Sequence, residues 1–188
     1  GNYISSSVGL YFMKIRNQID FDPARSVNRN FQPIERKGVE YSLKFKPYKN
    51  MYSHFNYAYT SSTFDEGANK GNRVPLVSEH TGSWLINYKI FDGMNFSVLW
   101  NYVGNKIFDN DQDNTFFAKI PSHSTVDIKL IYERKNLDFG FSLNNMLNKE
   151  YFETGTTNSL LFDAEHTRFN AQPMPERNFS FRMRYKFN

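Results

Sequence analysis

Hydrophobic and polar residues alternate along most of this chain with a period of two. Val39, Tyr41, Leu43 and Phe45 are separated by Glu40, Ser42, Lys44 and Lys46. The same alternation returns at positions 55–59, 84–90, 96–102, 126–132, 137–143 and 179–187. An extended chain sends successive side chains to opposite faces, so each stretch predicts a strand with one apolar and one polar face. With a further strand at residues 7–17, about eight are expected. Amphipathic helical periodicity is nearly absent.

The connections are of two kinds, and they alternate. Tight turns are expected at residues 47–50, 91–93 and 134–136, and long polar loops at 20–30, 65–77, 109–119 and 148–175. The turn centres Lys49, Asp92 and Lys135 are spaced 43 residues apart. Hairpins with short turns at one end and long loops at the other follow the plan of an outer-membrane barrel, turns periplasmic and loops extracellular. A soluble sandwich alternates too. The segments between turns are long enough for the ~10 tilted residues that cross a bilayer. Aromatic residues also gather at the ends of the apolar faces (Tyr57, Tyr59, Trp84, Trp100, Tyr102, Tyr132, Tyr185, Phe187), as an interfacial girdle requires.

Composition agrees. Mean hydropathy is −0.65, and no apolar run approaches the ~18 residues of a membrane-crossing helix. Barrel strands, being half polar, escape that test. There are 19 Phe and 12 Tyr but no Cys, which removes disulfide frameworks and thiolate metal sites. The net charge of +4 is spread among interspersed acids, which leaves no basic patch for nucleic acid. Residues 1–4 open directly into strand-like sequence without a signal peptide, so the beginning is expected to be a cut end.

Six short elements, in order, carry a family resemblance. They are Arg36-Lys37-Gly38-Val39-Glu40; Asn72-Arg73-Val74-Pro75 with Glu79-His80; Tyr102-Val103-Gly104; Pro121 with Asp127; the run Asn144-Asn145-Met146-Leu147-Asn148-Lys149-Glu150-Tyr151; and Pro173-Met174-Pro175-Glu176-Arg177 before the last strand. In this register the chain resembles the TonB-dependent outer-membrane receptors. The resemblance implies a transmembrane antiparallel β-barrel of 22 strands whose lumen holds a plug domain. Residues 1–188 would then be its C-terminal segment, about eight strands, with the plug and the earlier strands outside this sequence. It further implies energy-coupled import of a scarce nutrient (a metal chelate, cobalamin or a glycan) at the outer membrane of a Gram-negative cell. The implied partners are membrane lipid, the plug and remaining strands, and, through the missing N-terminal part, the inner-membrane energy-transducing complex. Two departures are Glu176, where a glycine often precedes the arginine, and Asn188 after the usual terminal aromatic.

Alternation places Glu40 in the lumen with Ser42, Lys44 and Lys46, and the resemblance implies that it pairs with a plug arginine. A shielded carboxylate favours such a bidentate partner. Arg182, Arg184 and Lys186 are expected to line the lumen near its periplasmic mouth, facing an anionic substrate, plug carboxylates or water. Phe162, His166, Arg168 and Phe169 lie in the longest loop, where contact with substrate is expected. Asp109, Asp111 and Asp113 have part of a calcium-loop spacing, but the glycine and the bidentate glutamate are missing, so a solvated loop is expected. The histidines lack ligand spacing, and no nucleophile elbow or phosphate loop is present; no metal site, cofactor or enzymatic activity is expected. Two other readings fit the alternation: a self-contained eight-stranded outer-membrane barrel with a structural or adhesive role, and a soluble β-sandwich binding module.

Overall fold

The computed structural model describes residues 3–22, 27–30, 32–157 and 169–187. In chain order the strands are β1 (Tyr3–Ile15), β2 (Ile19–Asp22), β3 (Val27–Asn30), β4 (Ile34–Tyr48), β5 (Met51–Phe64), β6 (His80–Phe91), β7 (Met94–Val103), β8 (His123–Arg134), β9 (Leu137–Asn144), β10 (Phe152–Thr157), β11 (Phe169–Pro173) and β12 (Asn178–Tyr185). Eight of them form one antiparallel meander, β1-β4-β5-β6-β7-β8-β9-β12. The strand at each expected alternating stretch is present, and the tight turns fall where they were expected. Lys135 and Gly93 take positive φ at two of these turns. In the third, bonds run between neighbouring turns, with the Lys89 N–H donating to the Asn50 carbonyl at 2.7 Å.

Two of the long connections hold structure that alternation did not reveal. β2 pairs with β3 and β10 with β11, as separate two-stranded ribbons. β4 and β5 are also longer than expected, at 15 and 14 residues. At ~3.3 Å per residue they reach about 50 Å and extend well past the hydrocarbon.

Among the described residues, no second layer covers the apolar face of the sheet. On the central strand β6, Trp84 and Ile90 remain 43% and 44% exposed. This uncovered face rules out the sandwich alternative, in which both inner faces bury one another. The sheet is also open, since β1 and β12 do not pair, so it is not a closed eight-stranded barrel. Its apolar face is edged by aromatics at both ends. Tyr57 and Tyr59 surround His80 at the long-loop end, and Phe91 meets Tyr132 at the short-turn end. Among the described residues no helix is long and apolar enough to cross a membrane, a test that does not bear on strands.

The buried core lies among the long loops instead. Ile34, Phe64 and Val74 form one cluster with Ile15 and Val77. Phe108 centres a second, with Phe116, Phe152 and Phe169 around it at 4.9–6.2 Å between ring centroids. Gly155 is required there, because a Cβ would come 2.7 Å from the Phe108 ring.

Candidate functional site

Cross-strand register assembles the polar face into rungs. Ser7, Ser42, Asn56, Ser83, Asn101 and Thr125 stand side by side across six strands. The next rung toward the long loops is Gly9, Glu40, Ala58, Thr81, Val103 and His123. The sheet curls so that these short side chains border a hollow of about 970 Å³. Bulky side chains would fill this space; a wall of Ser, Asn, Thr, Ala and Gly leaves it open.

Glu40 lies on this face, beside a construction that explains the glycine two residues before it. Tyr11, Gly38 and Thr60 share a rung. The Tyr11 ring lies across Gly38, and its hydroxyl meets Thr60 Oγ1 at 2.7 Å. A Cβ on Gly38 would sit 2.5 Å from that hydroxyl and would collide with the Tyr59 carbonyl. Glu40 itself is exposed, flanked on its rung by Gly9 and Ala58. Among the described residues it makes no hydrogen bond or ion pair, with Lys44 or any other side chain.

The opposite end of the hollow was not singled out from sequence. His123 is 7% exposed and stacks on Tyr151 at 4.2 Å, and its Nδ1 has no hydrogen-bond partner. Glu153 and Asp127 border the hollow beside this pair. Burial pushes the Tyr151 phenol up, with the Glu153 and Asp127 charges adding to it. Asp127 is fixed because its Oδ1 accepts the Asn145 N–H at 2.8 Å. Asn145 is buried and left-handed (φ 49). Its Nδ2 donates to the Lys149 and Pro175 carbonyls at 2.9 and 3.3 Å, and its Oδ1 accepts the Lys149 N–H at 2.9 Å. Asn148 Oδ1 accepts the Arg177 N–H at 2.9 Å. These two asparagines bind the exit of β9 to the entry of β12, which is why this run and the proline-rich run before β12 belong to one motif set.

Toward the short turns the polar face becomes cationic. Arg182 is opposite Gly140 and Arg184 opposite Asp138. Lys186 Nζ lies 3.7 Å from Asp138 Oδ2. Lys44, Lys46 and Lys129 occupy the same face, and none has an ion pair among the described residues. Of the loop residues expected to meet substrate, Phe162, His166 and Arg168 lie outside the described residues. Phe169 packs on Phe108 in the loop core.

The aspartate-rich loop is not solvated as expected. Asp111 is 4% exposed, and its Oδ1 accepts the Thr115 and Phe116 N–H groups at 2.9 and 3.1 Å. Asn114 explains the burial. Its amide pairs with the Arg73 backbone in both directions, at 2.8 and 3.0 Å, and so docks the loop on the segment before β6. Burial raises the Asp111 carboxyl above its usual range against the pull of the Phe116 N–H.

A family model described as "TonB dependent receptor-like, beta-barrel" matches residues 1–146. The metal-pseudopaline receptor CntO of Pseudomonas aeruginosa is 24% identical over 166 residues, covering 82% of this chain and 23% of its own length. The ferric yersiniabactin uptake receptor FyuA of Yersinia pestis superposes with a TM-score of 0.79 at 19% identity, over 98% of this chain and 28% of its own. The siderophore receptor PiuA of Acinetobacter baumannii gives a TM-score of 0.74 at 17% identity, over 98% and 26%. The chain thus spans about a quarter of each relative.

Proposed function

The chain belongs to the TonB-dependent receptor β-barrel family, and from that premise we propose that it is wall of an outer-membrane receptor that imports a chelated metal. Residues 1–188 are its C-terminal barrel segment. The apolar face of the meander meets membrane lipid, and the polar face looks into a lumen completed by further strands and filled by a plug domain. Import is driven by the inner-membrane energy-transducing complex acting on parts outside this segment. Of the nutrient classes considered, the metal chelate is supported by the relatives, whose names are those of metal and siderophore receptors. The protein acts as a receptor and transporter rather than an enzyme, in the outer membrane of a Gram-negative cell.

The observation that carries this reading is Glu40, an unpaired carboxylate between Gly9 and Ala58 on the concave wall. An acid left clear of neighbours awaits a partner from across the lumen, and a plug arginine provides a bidentate one. Arg182, Arg184 and Lys186 form the cationic periplasmic rim against which plug carboxylates rest. In the full-length receptor, Glu40→Gln is expected to raise hydrogen exchange in the plug and to slow energised uptake of chelated metal. Unchanged plug exchange together with unchanged uptake would refute the Glu40 assignment. Cells that express the receptor yet accumulate no chelated metal above a receptor-less strain would refute import.

A further inference from the structure

The long connections at one end of the wall are bonded to one another in a definite order. Three of them are 65–79 between β5 and β6, 104–122 between β7 and β8, and the described part of 145–177 between β9 and β12. The middle one reaches both others. Toward the first, Asn114 pairs with the Arg73 backbone, and Asn72 Nδ2 donates to the Gln112 carbonyl at 3.1 Å. The Arg73 guanidinium also meets the Asn105 side chain and carbonyl, at 3.4 Å each. Toward the last, the Asp109 N–H donates to the Gly155 carbonyl at 2.9 Å, and the Asp109 carbonyl accepts the Thr157 N–H at 3.1 Å, beside a parallel bridge to Thr156. Lys106 Nζ adds a bond to the Glu153 carbonyl at 3.0 Å. Among the described residues, no hydrogen bond runs directly from 65–79 to the ribbon β10–β11.

The middle segment is itself deeply packed. Ile107 and Phe108 are buried, and the Phe108 ring lies against Phe152 and Phe169 of the ribbon. On the other side, Leu76 sits at φ 61, a left-handed conformation that a leucine keeps only where its surroundings hold it. Its N–H, bonded to the Ile107 carbonyl at 3.0 Å, supplies such a hold. Segments that share buried side chains and hydrogen bonds open as one cooperative unit.

We propose that residues 105–116 are the keystone of this rim: the connection before them and the ribbon after them open only when the keystone opens. The three connections then form one body at the long-loop end of the barrel rather than three independent flaps. This coupling belongs to the rim and holds whatever the receptor imports.

The test reads amide hydrogen exchange, residue by residue, in the full-length receptor in detergent. Asn114 bonds Arg73 and Asp111 and, among the described residues, nothing in the ribbon. Asn114→Gly removes those bonds while tolerating the φ of 57 at that position. Exchange at the Arg73 amide should rise, and exchange at the Thr157 amide, on the far side of the keystone, should rise with it on the order of tenfold. Gly155→Ala is the reverse probe, because a Cβ there meets the Phe108 ring at 2.7 Å; it should raise exchange at Arg73. Mid-wall amides such as Val98 and Ile128, paired across β7 and β8, should keep their protection in both variants. A rise at Arg73 without Thr157 in Asn114→Gly, a rise confined to the ribbon in Gly155→Ala, no rise at either site, or an equal rise in the mid-wall would each overturn the proposal. Should Gly155→Ala fail to fold, Thr157 exchange in Asn114→Gly decides alone. Uptake plays no part in this readout, so a negative result leaves the import reading standing.

Discussion

Replacing Asn145 by alanine tests whether the junction between β9 and β12 is held by one side chain. The substitution removes two donated bonds, to the Lys149 and Pro175 carbonyls, and one accepted from the Lys149 N–H. Each net hydrogen bond contributes about 1 kcal/mol, less for the longer Pro175 contact. The residue also sits at φ 49, where alanine is about 1 kcal/mol less favourable than in the right-handed region. Local opening should therefore become easier by about 3–4 kcal/mol, or more than a hundredfold at ~1.4 kcal/mol per decade. Native-state hydrogen exchange of the full-length receptor reads this directly at the Lys149 and Asn148 amides, both bonded to Asn145. Asn145→Gly loses the same bonds without the φ penalty and should fall about 1 kcal/mol short of the alanine effect. Unchanged Lys149 protection in Asn145→Ala, or identical effects of glycine and alanine, would refute the reasoning.

Two further outcomes are expected. Gly38→Ala forces the Tyr11 ring off the strand and breaks its bond to Thr60; overpacking of about 1–3 kcal/mol and a bond of about 1 should lower the urea midpoint of the heat-modifiable folded band, whereas Tyr11→Phe should lower it by the bond alone. Asp111 has a folded pKa raised chiefly by burial, so its contribution to loop packing is complete below the unfolded carboxylate value of about 3.9 and is lost as pH rises through the raised folded value. Protection of the Thr115 and Phe116 amides should accordingly fall with rising pH across that window, and Asp111→Asn should flatten the profile; a profile that rises with pH overturns the assignment.

The strands were legible because alternation is a local property: each of the eight meander strands has its own apolar stripe, and each tight turn its own Gly, Asn or Lys. The two small ribbons were not, because their strands are only four to six residues long and lie inside polar connections. The same limit applies to Asp111, which reads as one acid in a polar run. Its burial depends on Asn114 reaching Arg73, a contact across 41 positions. Glu40 could be assigned to the polar face from its neighbours alone. The His123–Tyr151 corner could not, since it joins β8 to a segment beyond β9. One signal was present, because Asp127 and the asparagine run already lay within the motif set, though without a stated role.

The two small ribbons also bear on how the wall is put together. Every neighbour in the meander follows the last along the chain except where a ribbon intervenes, between β1 and β4 and between β9 and β12. Both are long closures, and closure entropy grows with the logarithm of the free length, about 0.6 kcal/mol per doubling. A ribbon that zips first, Thr157 to Phe169 in one case and Asp22 to Val27 in the other, takes its own length out of the search. Each distant strand then arrives almost as a hairpin partner. The whole wall can be laid down in sequence order, on the fast timescale of local pairing, with neither of its edges waiting unpaired on a long tether.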